Sequence, residues 1–304
     1  MAEMTFQALQ DKVFALHREG AYSEALSLIE QHADALAQHA VDLYYWRACL
    51  ACRAGDPDAG LAWLQDACDR GLWYHDSILR DPDLAPLRES GRLEPLQKVF
   101  RERHAAAQAQ ARPDLRVWSP DGPRRGLLLA LHGAGGSAAD EGELLRWRPA
   151  LEAGWQVAAA QSSQMCAPGK YFWHDRALGI AEVRRHLEAL EAPANTVVAG
   201  FSAGAGVAVQ GVLSGALPAV RFLAVAPAIR SEVVLPMVET CRPDVRGYVV
   251  IGEKDWCWQA AVELTEAMRR RGLAVRLEAY PDLAHDFPPG FADRLAERLE
   301  WLSA

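Results

Sequence analysis

From Leu115 to the end of the chain, short apolar runs alternate with longer amphipathic stretches. This alternation limits the available folds more than any other feature. The spacing predicts strands at Leu115–Trp118, Gly126–Leu131, Trp155–Ala160, Thr196–Phe201, Phe222–Ala226, Tyr248–Ile251 and Val275–Tyr280. It predicts helices at Glu141–Ala153, Leu178–Glu191, Ala203–Ser214, Gln259–Arg271 and Phe291–Ser303. Near-continuous apolar strands separated by helices imply a mostly parallel sheet covered on both faces. Such a sheet places ligand sites beyond the carboxyl ends of its strands.

The first third has another period. Between Thr5 and Ala111 the pattern is helical, and Gly20-Ala21-Tyr22-Ser23-Glu24-Ala25-Leu26 is echoed by Gly55-Asp56-Pro57-Asp58-Ala59-Gly60-Leu61. Each glycine separates two helical stretches. The spacing resembles that of tetratricopeptide repeats, although Pro57 and Gly60 replace the usual aromatic and alanine. Asp81-Pro82-Asp83-Leu84-Ala85-Pro86-Leu87 is similar to the closing half-repeat of such arrays. The expected division is an all-α, TPR-like domain over 1–111 and a catalytic α/β domain over 112–304, joined near Gln108–Pro113. The helical domain would serve as a lid or wall on the second domain, or as a protein-binding groove.

Bulk properties narrow the function. A net charge of −8 with no long basic run argues against nucleic acid or an anionic membrane as partner. No segment has the ~20 apolar residues of a membrane span, and the N-terminus lacks the features of a signal peptide. The six cysteines, including Cys49 and Cys52 of a CxxC, lie among apolar neighbours and read as reduced thiols in a cytoplasmic protein.

Four motifs fall at predicted strand ends. Gly200-Phe201-Ser202-Ala203-Gly204 is a GxSxG pentapeptide between a strand and a small-residue helix. That setting puts a serine on a sharp turn with its hydroxyl exposed, and the Ala203 N–H at a helix N-terminus where negative charge is favoured. Leu131-His132-Gly133-Ala134-Gly135-Gly136 ends the first long strand. Its glycine-rich loop can supply a second oxyanion donor, Ala134 or its neighbour Gly135, with His132 orienting the loop. It lacks the third glycine and the ribose-binding acid of a dinucleotide loop. Gly252-Glu253-Lys254-Asp255 offers Asp255 as the acid that orients a histidine, ahead of Glu253 and Asp282. Asp282-Leu283-Ala284-His285-Asp286-Phe287-Pro288 offers His285 as general base, while Asp286 is too close in sequence to reach its ring.

The order Ser202, Asp255, His285 is that of α/β-hydrolases. With the quoted motifs, it makes residues 115–304 resemble α/β-hydrolases of the phospholipase/carboxylesterase type, including acyl-protein thioesterases and dienelactone-hydrolase-like esterases. Ala203 departs from the Gln that usually follows the nucleophile in acyl-protein thioesterases. The resemblance implies hydrolysis of small-molecule carboxylic esters or thioesters through an acyl-enzyme, without cofactor or metal. The rival functions are a serine peptidase or amidase acting on small peptides, and a binding protein whose hydrolase domain is vestigial. Met165, Tyr171, Phe172 and Trp173 in the segment Ser162–His174, with Trp256 and Trp258 beside the acid, are candidates for an apolar pocket, Trp173 and Trp256 foremost.

Overall fold

The computed structural model describes residues 4–304. It divides into two compact units, one running to Ala111 and including Met165–Gly169, the other made of Arg112–Gln164 and Lys170–Ala304.

The first unit is helical: α1 (Phe6–Glu19), α2 (Tyr22–His32), α3 (Ala40–Arg53), α4 (Pro57–Asp69), the short α5 (Ala85–Glu89) and α6 (Glu94–Gln110). Local chemistry starts these helices where the sequence suggests. Thr5 Oγ1 accepts from the Ala8 N–H to cap α1, and Asp56 accepts from Ala59 to cap α4, with Pro57 in its first turn. Leu9, Val13, Ala25, Ile29, Leu43 and Leu50 form one core layer. Ala48, Leu64, Tyr74, Leu87 and Phe100 form another, which also contains Ala167. The segment carrying Ala167 is tied to this unit by its backbone: Met165 N–H donates to Gln108 Oε1 at 2.9 Å, and His75 N–H to the Cys166 carbonyl at 2.8 Å. All six cysteines are buried free thiols.

The second unit contains a seven-stranded sheet. In chain order its elements are β1 (Asp114–Trp118), β2 (Gly126–Leu131), α7 (Glu141–Trp147) and β3 (Trp155–Gln161). After the three-residue strand β4 (Met165–Ala167), which lies in the first unit, come β5 (Lys170–Tyr171), α8 (Arg176–Ala189), β6 (Thr196–Phe201), α9 (Ser202–Leu213) and β7 (Arg221–Val225). The chain ends with α10 (Ser231–Thr240), β8 (Arg246–Gly252), α11 (Trp258–Arg270), β9 (Ala274–Tyr280) and α12 (Leu295–Ser303). The sheet order is β1-β3-β2-β6-β7-β8-β9. All neighbours run parallel except β1, which is antiparallel to β3.

β2 shows why the sheet is legible. Every residue of Gly126–Leu131 is buried. Leu127, Leu129 and Leu131 enter the core on one face, while Leu128 and Ala130 enter the core on the other. A strand wrapped on both faces must be apolar throughout. The expected helix over Glu141–Ala153 is cut short at Trp147, and Pro149 lies in the 3₁₀ turn Arg148–Leu151 that follows. Helix α10 has no counterpart among the expected elements, because Pro236 interrupts its pattern. Burial of Val234 and Val238 on one face holds it.

Candidate functional site

The site begins at the junction of β2 and β6. These strands pair in parallel with Leu131 opposite Gly200, so the loop after β2 and the turn into α9 leave the sheet side by side. The turn is tight. A Cβ on Gly200 would lie 2.6 Å from the Ala205 nitrogen, and one on Gly204 would lie 2.3 Å from the Leu131 carbonyl oxygen. Only glycine fits at either place. Ser202 between them has φ 49°, in the left-handed region. That conformation costs a non-glycine residue ~1–3 kcal/mol and is kept where the surroundings force it, most often at functional sites.

Ser202 Oγ lies 2.8 Å from His285 Nε2. His285 Nδ1 lies 2.9 and 3.0 Å from the two carboxylate oxygens of Asp255, whose side chain is wholly buried. A carboxylate only accepts, which assigns the ring proton to Nδ1 and leaves the Nε2 lone pair facing the serine hydroxyl. Asp255 is fixed in turn, since its Oδ1 also accepts the Cys257 N–H at 2.8 Å. Backbone bonds join the two loops: Glu253 N–H to the Tyr280 carbonyl and Lys254 N–H to that of Leu283. The other acids are otherwise occupied. Glu253 is exposed, Asp282 pairs with Lys254 Nζ at 2.8 Å, and Asp286 accepts from the Phe287 N–H.

Donor atoms of Asp255, Cys257 and His285 lie within 4.8 Å of one another, a set with metal-ligand chemistry. Burial, reinforced by the neighbouring Asp255, pushes the Cys257 thiol well up, and the Nδ1–Asp255 contact already takes the histidine nitrogen.

The backbone N–H groups near the turn differ in their partners. In the loop after β2, Gly133 N–H donates to Glu143 Oε2 at 3.0 Å, Gly135 N–H to the Tyr171 carbonyl at 2.9 Å and Gly136 N–H to the Gly133 carbonyl at 3.1 Å. Gly135, the alternative donor, is therefore engaged. Ala134 N–H has no acceptor among the described residues. Ala203 is the second residue of α9, so its N–H lacks an intrahelical acceptor. The Ala203 carbonyl accepts from Arg176 Nη1, and the Ser202 carbonyl accepts from the Ala228 N–H at 2.9 Å, which secures the turn on its far side.

Both ring nitrogens of His132 are engaged within the loop region. It is buried, its Nδ1–H donates to the Gly133 carbonyl at 2.7 Å, and its Nε2 accepts the Ser162 N–H at 3.3 Å. Burial lowers its pKa to about 4, so the ring is neutral.

The pocket expectations need correction. Trp173 has no exposed surface and lines no open pocket. Its indole N–H donates to the His132 carbonyl at 2.9 Å, and its ring stacks on His132 with centroids 4.8 Å apart. Tyr171 contributes backbone bonds to Gly135 and Gly136, and Met165 packs, partly buried, against the core of the first unit. Trp256 does stand at the site: it is 70 % exposed, with its ring 5.2 Å from that of His285. Phe201 lies 5.3 Å from His285 and stacks on Phe287 at 4.7 Å. Sequence reasoning passed over these two phenylalanines, although both lie inside the quoted motifs.

Residues 5–108 match the family described as "A/B hydrolase-like, N-terminal domain". The helical third thus matches a domain of that description. No curated protein matches the sequence. Among solved structures, an uncharacterized protein from Bacillus cereus ATCC 10987 is similar over 99 % of this chain and 100 % of its own, with 24 % identity and a TM-score of 0.53. Esterase PE8 is similar over 63 % of this chain and 99 % of its own (17 % identity, TM-score 0.52). Carboxyl esterase 2 from the mycorrhizal fungus Tuber melanosporum is similar over 62 % and 83 % (13 % identity, TM-score 0.50). The sheet unit has the α/β-hydrolase fold.

Proposed function

We propose that this chain is a serine carboxylesterase that hydrolyses carboxylic esters or thioesters through an acyl-enzyme. The observation that carries the reading is the Ser202 Oγ to His285 Nε2 contact of 2.8 Å, with Asp255 on the opposite ring nitrogen. Ser202 attacks the substrate carbonyl as His285 takes its proton. The Ala134 and Ala203 N–H groups receive the oxyanion. His285 returns the proton to the leaving alcohol or thiol, then activates the water that releases the acid.

Fluorophosphonate labelling with turnover of a short-chain aryl ester panel tests this. The intact protein should be labelled and active, and Ser202→Ala should lose both. An unlabelled, inactive wild type sinks the reading.

A further inference from the structure

Asp140 and Glu143 read together as a capping box, the motif in which the fourth residue's carboxyl reaches back to the cap's own N–H. Half of it forms: Asp140 Oδ1 accepts the Glu143 N–H at 3.2 Å. The reciprocal bond does not. The Asp140 N–H donates to the Ser137 carbonyl instead, and Glu143 Oε2 accepts from Gly133 in the loop after β2. The carboxyl has been diverted from its helix to the loop that carries Ala134.

We propose that Glu143 is a positioning residue for the oxyanion-binding loop, acting as a neutral carboxylic acid that holds the Gly133 amide and so aims the Ala134 N–H. The kinetic part of this inference rests on the esterase reading above. Neutrality follows first from the surroundings. Among the described residues Glu143 Oε1 and Trp147 Nε1 are both buried with no partner at hydrogen-bond distance, and the nearby indole N–H favours the anion only weakly, the least of the influences on the carboxyl. Both residues line a cavity of about 10 Å³, bounded also by Ala130, His132, Ser137 and Ala159, with room for about one water bridging the two groups. Among the described residues, the titratable groups facing the carboxyl are Asp140, the cap of its own helix, and the neutral His132. Neither supplies a positive charge, and β3 presents Ala159 and Ala160 there. An isolated carboxylate with one unpaired oxygen is costly to bury and takes up a proton instead. Burial accordingly pushes the Glu143 carboxyl up to about 8. A neutral acid also suits the chemistry: an anion behind the loop would oppose the negative charge developing on the substrate oxygen.

The test compares Glu143→Gln and Glu143→Ala at pH 7 by ester turnover and by amide hydrogen exchange of residues 132–136. Gln mimics the protonated acid in shape, charge and hydrogen bonding. It should keep kcat within about threefold of wild type and leave the loop protected. Ala should lower kcat by ~10–10², with KM little changed, and speed exchange of the loop. Exchange unchanged in the Ala variant overturns the proposal whatever the activity. A Gln variant as impaired as Ala overturns it too, because the negative charge would then be what matters. If Glu143→Ala does not fold, the Gln variant decides the question alone. If the wild type turns over no ester while the exchange pattern is as expected, the esterase reading fails and the hold of Glu143 on the loop stands.

Discussion

Gly204→Ala tests how closely the Ser202 turn and the loop after β2 are coupled, as the proposed mechanism requires. The added methyl carbon would sit 2.3 Å from the Leu131 oxygen, 2.5 Å from the His132 oxygen and 2.6 Å from the Leu131 carbonyl carbon. All three are backbone atoms at the end of β2, so no rotamer change relieves the overlap. An ordinary contact of about 3.4 Å requires α9 and the β2 end to separate by about 1 Å. Ala203 precedes the substituted residue, and Ala134 lies two residues beyond His132, so that separation moves both proposed oxyanion donors. Misplacement by 1 Å can cost ~10² in rate, the fall expected in kcat for an aryl ester. Overpacking should remove ~1–3 kcal/mol of stability, more than the ~1 kcal/mol gained from exchanging glycine for alanine in a helix. Gly211→Ala, in the same helix, is the control. Its new carbon meets the buried Leu217 side chain, 2.6 Å from Cδ1 and 2.8 Å from Cγ, and no backbone atom of the β2 end, so stability can fall as much while kcat should stay at the wild-type value. Urea unfolding and steady-state kinetics read both variants. A Gly204→Ala enzyme with wild-type kcat and unfolding midpoint refutes the reasoning, as does an equal loss of kcat in Gly211→Ala.

Trp256→Ala should raise KM for aryl esters severalfold while shifting stability by no more than ~0.5 kcal/mol, since the residue is largely exposed beside His285. An unchanged KM would remove Trp256 from the substrate's path. The neighbours His132 and Glu143 should give stability opposite pH slopes. His132, lowered from 6.5 to about 4 by burial, favours the unfolded chain as pH falls through that interval. Glu143, raised from 4.5 to about 8 by burial, contributes stability that is lost as pH rises through that interval. Each slope is ~1.4 kcal/mol per pH unit, so the two cancel between 4.5 and 6.5 and the Glu143 decline stands alone above 6.5. Urea midpoints from pH 5 to 9 should therefore fall on the alkaline side in wild type and flatten in Glu143→Gln. An identical decline in the variant would assign the slope to other groups.

Legibility from sequence followed burial. Gly126–Leu131 and Thr196–Phe201 match their expected bounds because strands buried on both faces are apolar along nearly their whole length. The expected Tyr248–Ile251 is in fact Arg246–Gly252. Gly247 reads as a turn but lies under the Phe222 ring, where a Cβ would be 2.3 Å from Cζ. The direction of β1 was not legible, since the same side-chain alternation serves either orientation. Trp173 failed for another reason. An aromatic in a loop reads equally as a pocket wall or as an anchor, and what decides is the His132 carbonyl 41 residues away in the chain, to which the indole donates. In sequence Glu143 reads only as a helix residue, and its contact with Gly133 is tertiary, which the local pattern does not encode.

The sheet order explains why the later motifs could be read as partners of Ser202. Strands lie about 4.8 Å apart, so the end of β9 is three strands, or ~14 Å, from the end of β6. His285 must reach back over the ends of β8 and β7 to meet the serine. The acid loop shortens that reach. It leaves β8, next to β9, and Lys254 N–H takes the Leu283 carbonyl, so the histidine loop is folded inward two residues before His285. A Cβ on Gly252 would lie 2.0 Å from that same Leu283 oxygen, so the approach depends on glycine at the end of β8. Asp255 therefore stands between the strand that carries the histidine loop and the strand that carries Ser202. In a parallel sheet of this order, an acid after β8 and a histidine after β9 can converge on a serine after β6 only if the last loop turns inward. The glycine of Gly252-Glu253-Lys254-Asp255 gives that turn its room.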